Sequence, residues 1–406
     1  MTEQPLGPFP KPESYQPIVQ RLKDMIECNN WKDKFERTVH DAYKTGVEDM
    51  TNISSLTDYY NFLNYFVLWV PKEDETGAFV YNMLGTMYFV LDQKTVRDFQ
   101  SPIKPSSYPP PPLTELSKWI VDFAGAMGKD GSTNDFQIRN IADFGVKLRS
   151  VTRNSAINTF YTAENYNVDA YVVPEGGWLG HSFNEFFARK FLPGTRPIDG
   201  PSNPAVIMSA TDSTFDGSWD INTDSIVYLK GLPWTIGELL ADSKYANDFA
   251  GRKFMHTFLS PYDYHHQHAP VDGKVLKAKV IPGQIYLEVN IKKHSDGKHR
   301  LIPTRGLVSS DSAGYQFCQT RGLIVIDSPK VGKVAVLPVG MAQVSSVVLS
   351  VKEGDEVKKG DELSYFQFGG SDIVLLFQAQ SKVKILANKH KHYRVGKQIA
   401  IAHIAE

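Results

Sequence analysis

The sequence predicts an α+β protein in which a helical N-terminal region is followed by a β-rich domain. Three observations lead there. The first hundred residues place apolar side chains three and four apart with charges between them, as amphipathic helices do. Beyond about residue 200 the texture changes to short runs rich in β-branched residues, separated by Gly, Pro and Asp. Finally, 406 residues with 42% hydrophobic and 22% charged side chains suffice for a buried core and for two or three domains.

In chain order, "PIVQRLKDMIECNNW" and "KDKFERTVHDAYKTGV" read as helices packed on one another. "YYNFLNYFVLWVP" (59–71) is the most apolar window. It contains Asn61 and Asn64 and stops at Pro71, short of the roughly 20 apolar residues of a membrane span. A core helix is expected there, with a membrane-touching face as the alternative. "SPIKPSSYPPPPLTE" (101–115) is an extended connector or strap, because each proline fixes its own φ and biases its predecessor away from the helix. "LTELSKWIVDFAGAM" and "DFQIRNIADFGVKLRSV" return to helical spacing. The strands expected after them are "SIVYLKGL", "GKVLKAKVI", "GQIYLEVNI", "RGLIVID", "KVAVLPVGM", "VSSVVLSV" and "DIVLLFQA". Between the last two, Gly354-Asp355 and Gly360-Asp361 mark two turns. The alternation of strand and turn over 347–366 resembles the flattened β-sandwich of biotinyl and lipoyl carrier domains. Their cofactor-bearing lysine motif has no counterpart here, so the resemblance concerns architecture.

A formal net charge of −1 argues against general affinity for nucleic acid or anionic lipid, which needs a surplus of Lys and Arg on one face. Cys28 and Cys318 are too few for a disulfide framework and read as unpaired thiols of a reducing compartment. The first residues, "MTEQPLGPFPKPESYQP", show neither a secretory nor an amphipathic targeting pattern, and no repeat of fixed period is evident. The expectation is a cytoplasmic protein without a transmembrane segment, with peripheral membrane contact as the variant.

The stretch "FQFGGSDIVLLF" (366–377) breaks a strand pattern with Gly369 and Gly370 immediately before Ser371. As a hydrolase nucleophile the serine belongs in G-x-S-x-G, and the second glycine is missing. As a turn it needs nothing more. A third reading has the hydroxyl attack the carbonyl of the preceding residue, where glycine offers least hindrance, and so cut the chain. That reaction needs a base and a group to orient it. "LSPYDYHHQHAPVDGKV" (259–275) supplies the densest set of candidates, His265, His266 and His268 beside Asp263. The spacing matches neither H-E-x-x-H nor a thiolate site, so no metal is expected.

Four segments taken together are similar to one family. "HSFNEFFARKFLPGTRPID" (181–199) resembles the F-N-x-F-F-x-R and R-P signature of phosphatidylserine decarboxylases, and "SATDS" (209–213), "LSPYDYHHQHAPVDG" and "FGGS" follow in that family's order. The resemblance covers about residues 175–406. It implies a helical extension over 1–174 and a catalytic domain over 175–406 that cleaves itself between Gly370 and Ser371. Ser371 matches the serine that becomes a pyruvoyl group, a cofactor made from the chain. His265 matches the base for that serine, Asp212 the carboxylate that orients it, and His268 the histidine associated with decarboxylation. The implied reaction is decarboxylation of an amine-bearing acid through a Schiff base with the pyruvoyl carbonyl, an electron sink of the kind pyridoxal phosphate supplies elsewhere. A homodimer is also implied. Asn184, Phe186, Phe187, Arg189 and Arg196 are expected to lock helix and loop against the β-domain.

Two departures bear on the substrate. Ser213 stands where the family has glycine, and "FGGSD" replaces L-G-S-T. The second resembles the fungal tryptophan-decarboxylase branch, so a free amino acid, aromatic in type, is expected, with phosphatidylserine as the alternative. The variable stretch 290–317 is expected to help shape the pocket. A non-catalytic binding module and a serine hydrolase are the rival classes, and both predict an uncut chain.

Overall fold

The computed structural model describes residues 7–403 except 70, 76, 107, 128–158, 164–165, 179–182, 230, 295, 304–313, 342–346, 368–369 and 379–381. The helical expectation for 135–151 lies outside the described residues. The expected α+β division is observed. Helices Pro17–Cys28, Lys32–Lys44, Leu56–Val67, Phe79–Leu91 and Glu115–Ala126 precede a region of antiparallel sheets.

Each helix forms for a local reason. Pro17 opens the first, where its missing N–H costs no hydrogen bond, and Ile18, Val19, Leu22 and Ile26 bury one face. The apolar window becomes the helix Leu56–Val67. Ser55 Oγ accepts the Asp58 N–H at 3.2 Å while the Asp58 carboxylate accepts the Ser55 N–H at 2.9 Å, a reciprocal cap. Among the described residues no helix is long and apolar enough to cross a membrane. The proline-dense connector is a strap: the Ser106 N–H and hydroxyl both donate to Glu238 Oε1 in the β-region, at 3.1 and 3.0 Å.

The main sheet has eight antiparallel strands, in the order Glu356–Val357, Gly273–Ile281, Arg321–Ser328, Gly332–Met341, Gly370–Phe377, Lys253–Leu259, Ser213–Asp220, His392–Tyr393. A three-stranded sheet joins Val347–Leu349, Glu362–Phe366 and His266–His268, and another joins Val206–Met208, Gln398–Ile401 and Lys384–Ile385. Ile373, Leu375 and Phe377 pack into one core and Val374 and Leu376 into another, as alternation along a strand requires. The helical core reaches into the β-region through Phe183, Phe186, Phe187, Phe258, Val347 and Phe366. One expected strand is displaced. In "GQIYLEVNI" the strand begins only at Val289, because Gly283 lies against the Cys318 and Gln319 backbone and Ile285 and Leu287 enter the helical core.

The two Gly-Asp turns are built alike. Asp355 accepts the Lys352 N–H at 3.0 Å, Asp361 accepts the Lys358 N–H at 2.7 Å, and Gly354 and Gly360 take φ of +97° and +95°. A Cβ on Gly354 meets nothing within 4 Å, whereas one on Gly360 would lie 2.3 Å from Ile198 Cδ1. Gly354→Ala is therefore expected to lose about 1–2 kcal/mol from the left-handed backbone alone, and Gly360→Ala more, because Ile198 must also move. Urea unfolding midpoints check this order, and equal losses contradict it.

Candidate active site

Two sheets meet at the Gly370–Ser371 bond. Upstream, the strand Glu362–Phe366 pairs with His266–His268, and the Phe366 N–H donates to the His265 carbonyl at 2.9 Å. Downstream, Ser371 enters the main sheet opposite Gly340 on one side and Leu259 on the other. The chain leaves the three-stranded sheet at Phe366 and joins the main sheet at Gly370. Phe368 and Gly369 lie outside the described residues.

Ser371 is fully buried, and its Oγ lies 3.4 Å from His265 Nδ1. His265 Nε2 lies 3.1 Å from the Pro261 carbonyl. A carbonyl only accepts, so Nε2 carries the hydrogen and Nδ1 turns its lone pair towards the serine hydroxyl. The loop that presents Pro261 is fixed in turn: Asp263 Oδ2 accepts the Ser260 N–H at 2.7 Å, and Asp263 Oδ1 pairs with His392 Nε2 at 2.8 Å. The Phe187 ring stacks on the imidazole at 4.0 Å. Burial pushes the His265 pKa down to about 3; Arg189 and His266 act in the same direction, and the Pro261 bond opposes them.

The other expected site residues sit differently. Both His265 nitrogens are engaged without Asp212. The Asp212 carboxylate is held by Arg196, with Nε at 3.0 and 3.1 Å from its two oxygens, and accepts the Val395 N–H at 2.8 Å. Its charge acts on His268, favouring the protonated ring there against the downward effect of burial. The structure thus brings Ser371 and His265 together and holds Asp212 on Arg196 and the Val395 N–H instead. His268 Nδ1 donates to the Gly360 carbonyl at 2.7 Å, so the second Gly-Asp turn orients this ring, and Nε2 faces the Tyr264 hydroxyl at 3.3 Å. Both nitrogens of His266 are taken, by Glu362 at 3.0 Å and the Ala188 carbonyl at 2.8 Å. Ser213, at the family's glycine position, accepts from the Thr211 hydroxyl at 2.8 Å.

A further buried group escaped the sequence reading. Asp372, the residue after Ser371, points to the opposite face of the sheet. There Oδ2 lies 3.1 Å from His256 Nε2 and accepts the Tyr315 hydroxyl at 2.5 Å, while His256 Nδ1 lies 3.1 Å from Asp216. The variable stretch thus contributes Tyr315 to the strand that carries the serine. A histidine inside the apolar run "KFMHTFL" and an aspartate opening "DIVLLF" were the available signals.

A sequence profile described as phosphatidylserine decarboxylase matches residues 183–401. The chain belongs to the phosphatidylserine decarboxylase family. It is 33% identical over 268 residues to "Phosphatidylserine decarboxylase proenzyme 3" of Schizosaccharomyces pombe, covering 63% of this chain and 26% of that protein. It is 30% identical over 248 residues to "Decarboxylase iboD" of Amanita muscaria, covering 58% and 71%, and 30% identical over 224 residues to a phosphatidylserine decarboxylase proenzyme of Ruminiclostridium cellulolyticum, covering 55% and 68%. The chain therefore spans about a quarter of the first relative's length and more than two thirds of the other two. The family is one of carboxy-lyases whose pyruvoyl group comes from their own chain. The residues present fit such a group: a buried serine hydroxyl follows glycine and faces a free imidazole lone pair.

Burial alone would lower the His256 pKa, but the Asp372 and Asp216 carboxylates, each 3.1 Å from a ring nitrogen, raise it to about 10. The unfolded histidine loses its proton near about 6.5, so the folded state holds one more proton than the unfolded state from there up to about pH 10. The stability this histidine contributes is then fully present below that window and is lost across it. Denaturant unfolding between pH 7 and 10 is expected to show a shallower fall for His256→Gln than for the parent chain. Parallel curves contradict the assignment.

Proposed function

We propose that the chain severs itself between Gly370 and Ser371 and then decarboxylates a free amino acid. The observation that carries this reading is the Nδ1 lone pair of His265 directed at the buried Ser371 hydroxyl. His265 takes the hydroxyl proton as Oγ attacks the Gly370 carbonyl carbon. The amide nitrogen leaves and is protonated, and Gly370 is now an ester on the serine. Removal of the Ser371 α-proton expels Gly370 as a free carboxylate. Hydrolysis of the resulting unsaturated residue releases ammonia and leaves a ketone at the new N-terminus. That pyruvoyl group supplies an electrophilic carbonyl and electron sink.

The remaining roles belong to the chain's own side chains. Tyr264 stacks on His266 at 5.0 Å and on His268 at 5.6 Å, in the segment that also carries His265. Burial raises the Tyr264 pKa, so its hydroxyl keeps its proton and donates to His268 Nε2. His268 and Tyr264 form the proton-holding pair for the carbon that loses carbon dioxide. A free amino acid is favoured over phosphatidylserine by "FGGSD" at the cleavage point, which resembles the fungal tryptophan-decarboxylase branch.

Denaturing mass analysis is expected to find fragments 1–370 and 371–406, the second ending in a ketone that reacts with hydrazine. Carbon dioxide release is expected from an amino acid of the set tryptophan, tyrosine, phenylalanine and serine, and not from phosphatidylserine vesicles. An intact chain contradicts the cleavage, and release from vesicles alone contradicts the substrate.

Maturation should also be insensitive to mild acid. With a pKa of about 3, His265 is about 99% neutral at pH 5, whereas an ordinary histidine would be about 3% neutral there. The cleavage rate at pH 5 is expected within about twofold of that at pH 7. A fall of about thirtyfold contradicts the placement of the base.

A further inference from the structure

Arg189 is 4% exposed, yet no carboxylate answers its charge among the described residues. Its guanidinium lies between two rings, 4.1 Å from the Tyr171 centroid and 4.6 Å from that of Phe186, and Nη1 donates to the Phe186 carbonyl at 3.1 Å. Nε and Nη2 find no acceptor in hydrogen-bond geometry among the described residues, although the Tyr171 hydroxyl lies near enough to favour the charge. The buried acids of this region are already engaged. Asp212 is held by Arg196, Asp263 by His392, and Glu362 by His266 and Lys190; Glu73 caps the helix Phe79–Leu91 and accepts from Tyr166. A desolvated cation with two idle donors is costly unless an anion is delivered to it. Arginine's planar fork matches the two oxygens of a carboxylate.

The position in the chain places this cation at the reacting groups. Two residues earlier, Phe187 stacks on the His265 ring at 4.0 Å, and one residue earlier the Ala188 carbonyl accepts from His266. The Arg189 charge also reaches His265, where it disfavours the protonated ring and so helps to keep the base free.

We infer that Arg189 is the recognition residue for the substrate carboxylate, receiving it through Nε and Nη2 while the neighbouring amine is presented to the residue-371 carbonyl. The ligand class is a 2-ammonio carboxylate, which a free amino acid and the serine headgroup of a phospholipid share. The assignment rests on the decarboxylase reading for why the anion sits next to an amine. Holding the carboxylate at one place while the amine is held at another fixes rotation about the N–Cα bond, which decides whether the bond that will break lies in line with an adjoining π-system, as decarboxylation requires.

The test uses the full chain carrying Ser371→Ala, which has no hydroxyl with which to cleave, so its result is independent of maturation. Binding is measured for L-tryptophan against tryptamine, L-serine against ethanolamine, and phosphatidylserine vesicles against phosphatidylethanolamine vesicles. At least one acid is expected to bind tenfold or more tightly than its amine, a difference of about 1.4 kcal/mol, and the arm in which this occurs identifies the source. Adding Arg189→Gln is expected to abolish the preference while leaving amine binding within twofold, and Arg189→Lys to restore part of it. Should the glutamine variant not fold, tryptophanamide and serinamide decide in the Ser371→Ala chain, because they keep the amine and lose the anion. The amide of the acid that binds is expected to bind at least tenfold more weakly than that acid. Equal binding of acid and amine, a preference that survives Arg189→Gln, equal binding of acid and amide, or no binding of any probe overturns the inference. A preference for the acid together with an uncut wild-type chain leaves Arg189 standing and removes the cleavage reading instead.

Discussion

The hydrogen bond from His265 Nε2 to the Pro261 carbonyl decides which ring nitrogen faces Ser371, and the chemistry of the site depends on it. A histidine can place its proton on either nitrogen, and solvent would let it do both. Burial removes the option of charge, the carbonyl removes the choice of tautomer, and the Phe187 ring fixes the plane. What remains is a neutral base with its lone pair on the serine. An orienting carboxylate, which a triad would employ, has no free nitrogen to meet at His265; the Pro261 backbone does the orienting.

The fold supplies this contact by joining two sheets at one peptide bond. Before Gly370 the chain pairs with the histidine strand, and after it the chain runs in the middle of the main sheet. A cut at that junction, as proposed, would leave each side held by its own ladder. On the far face, His256 lies between Asp216 and Asp372, the residue that follows Ser371. The helical core reaches the same place through Phe183, Phe186 and Phe187, so the N-terminal helices back the strand that presents the base.

Much of this was legible in the residue pattern. Helix positions followed from apolar spacing, the strap from its prolines, and the two matching turns from Gly-Asp pairs whose φ values require glycine. The pairing of Ser371 with His265 followed from the order of motifs. Three features were not legible. Spacing carries no information about which acceptor a buried ring nitrogen meets, so Pro261 was invisible and Asp212 was expected at His265. The strand over "GQIYLEVNI" depended on a backbone contact at Gly283 made by a segment distant in sequence. Arg189 reads as a helix-locking residue in its motif; only the full set of surrounding carboxylates, each taken by another partner, reveals that its charge is unanswered among the described residues.

The most direct test of the neutral, singly oriented base is nitrogen NMR of the His265 ring in the Ser371→Ala chain at pH 5, where an ordinary histidine would be charged. The account predicts a neutral ring with its hydrogen on Nε2 and a bare Nδ1. An imidazolium, or a hydrogen on Nδ1, would contradict it.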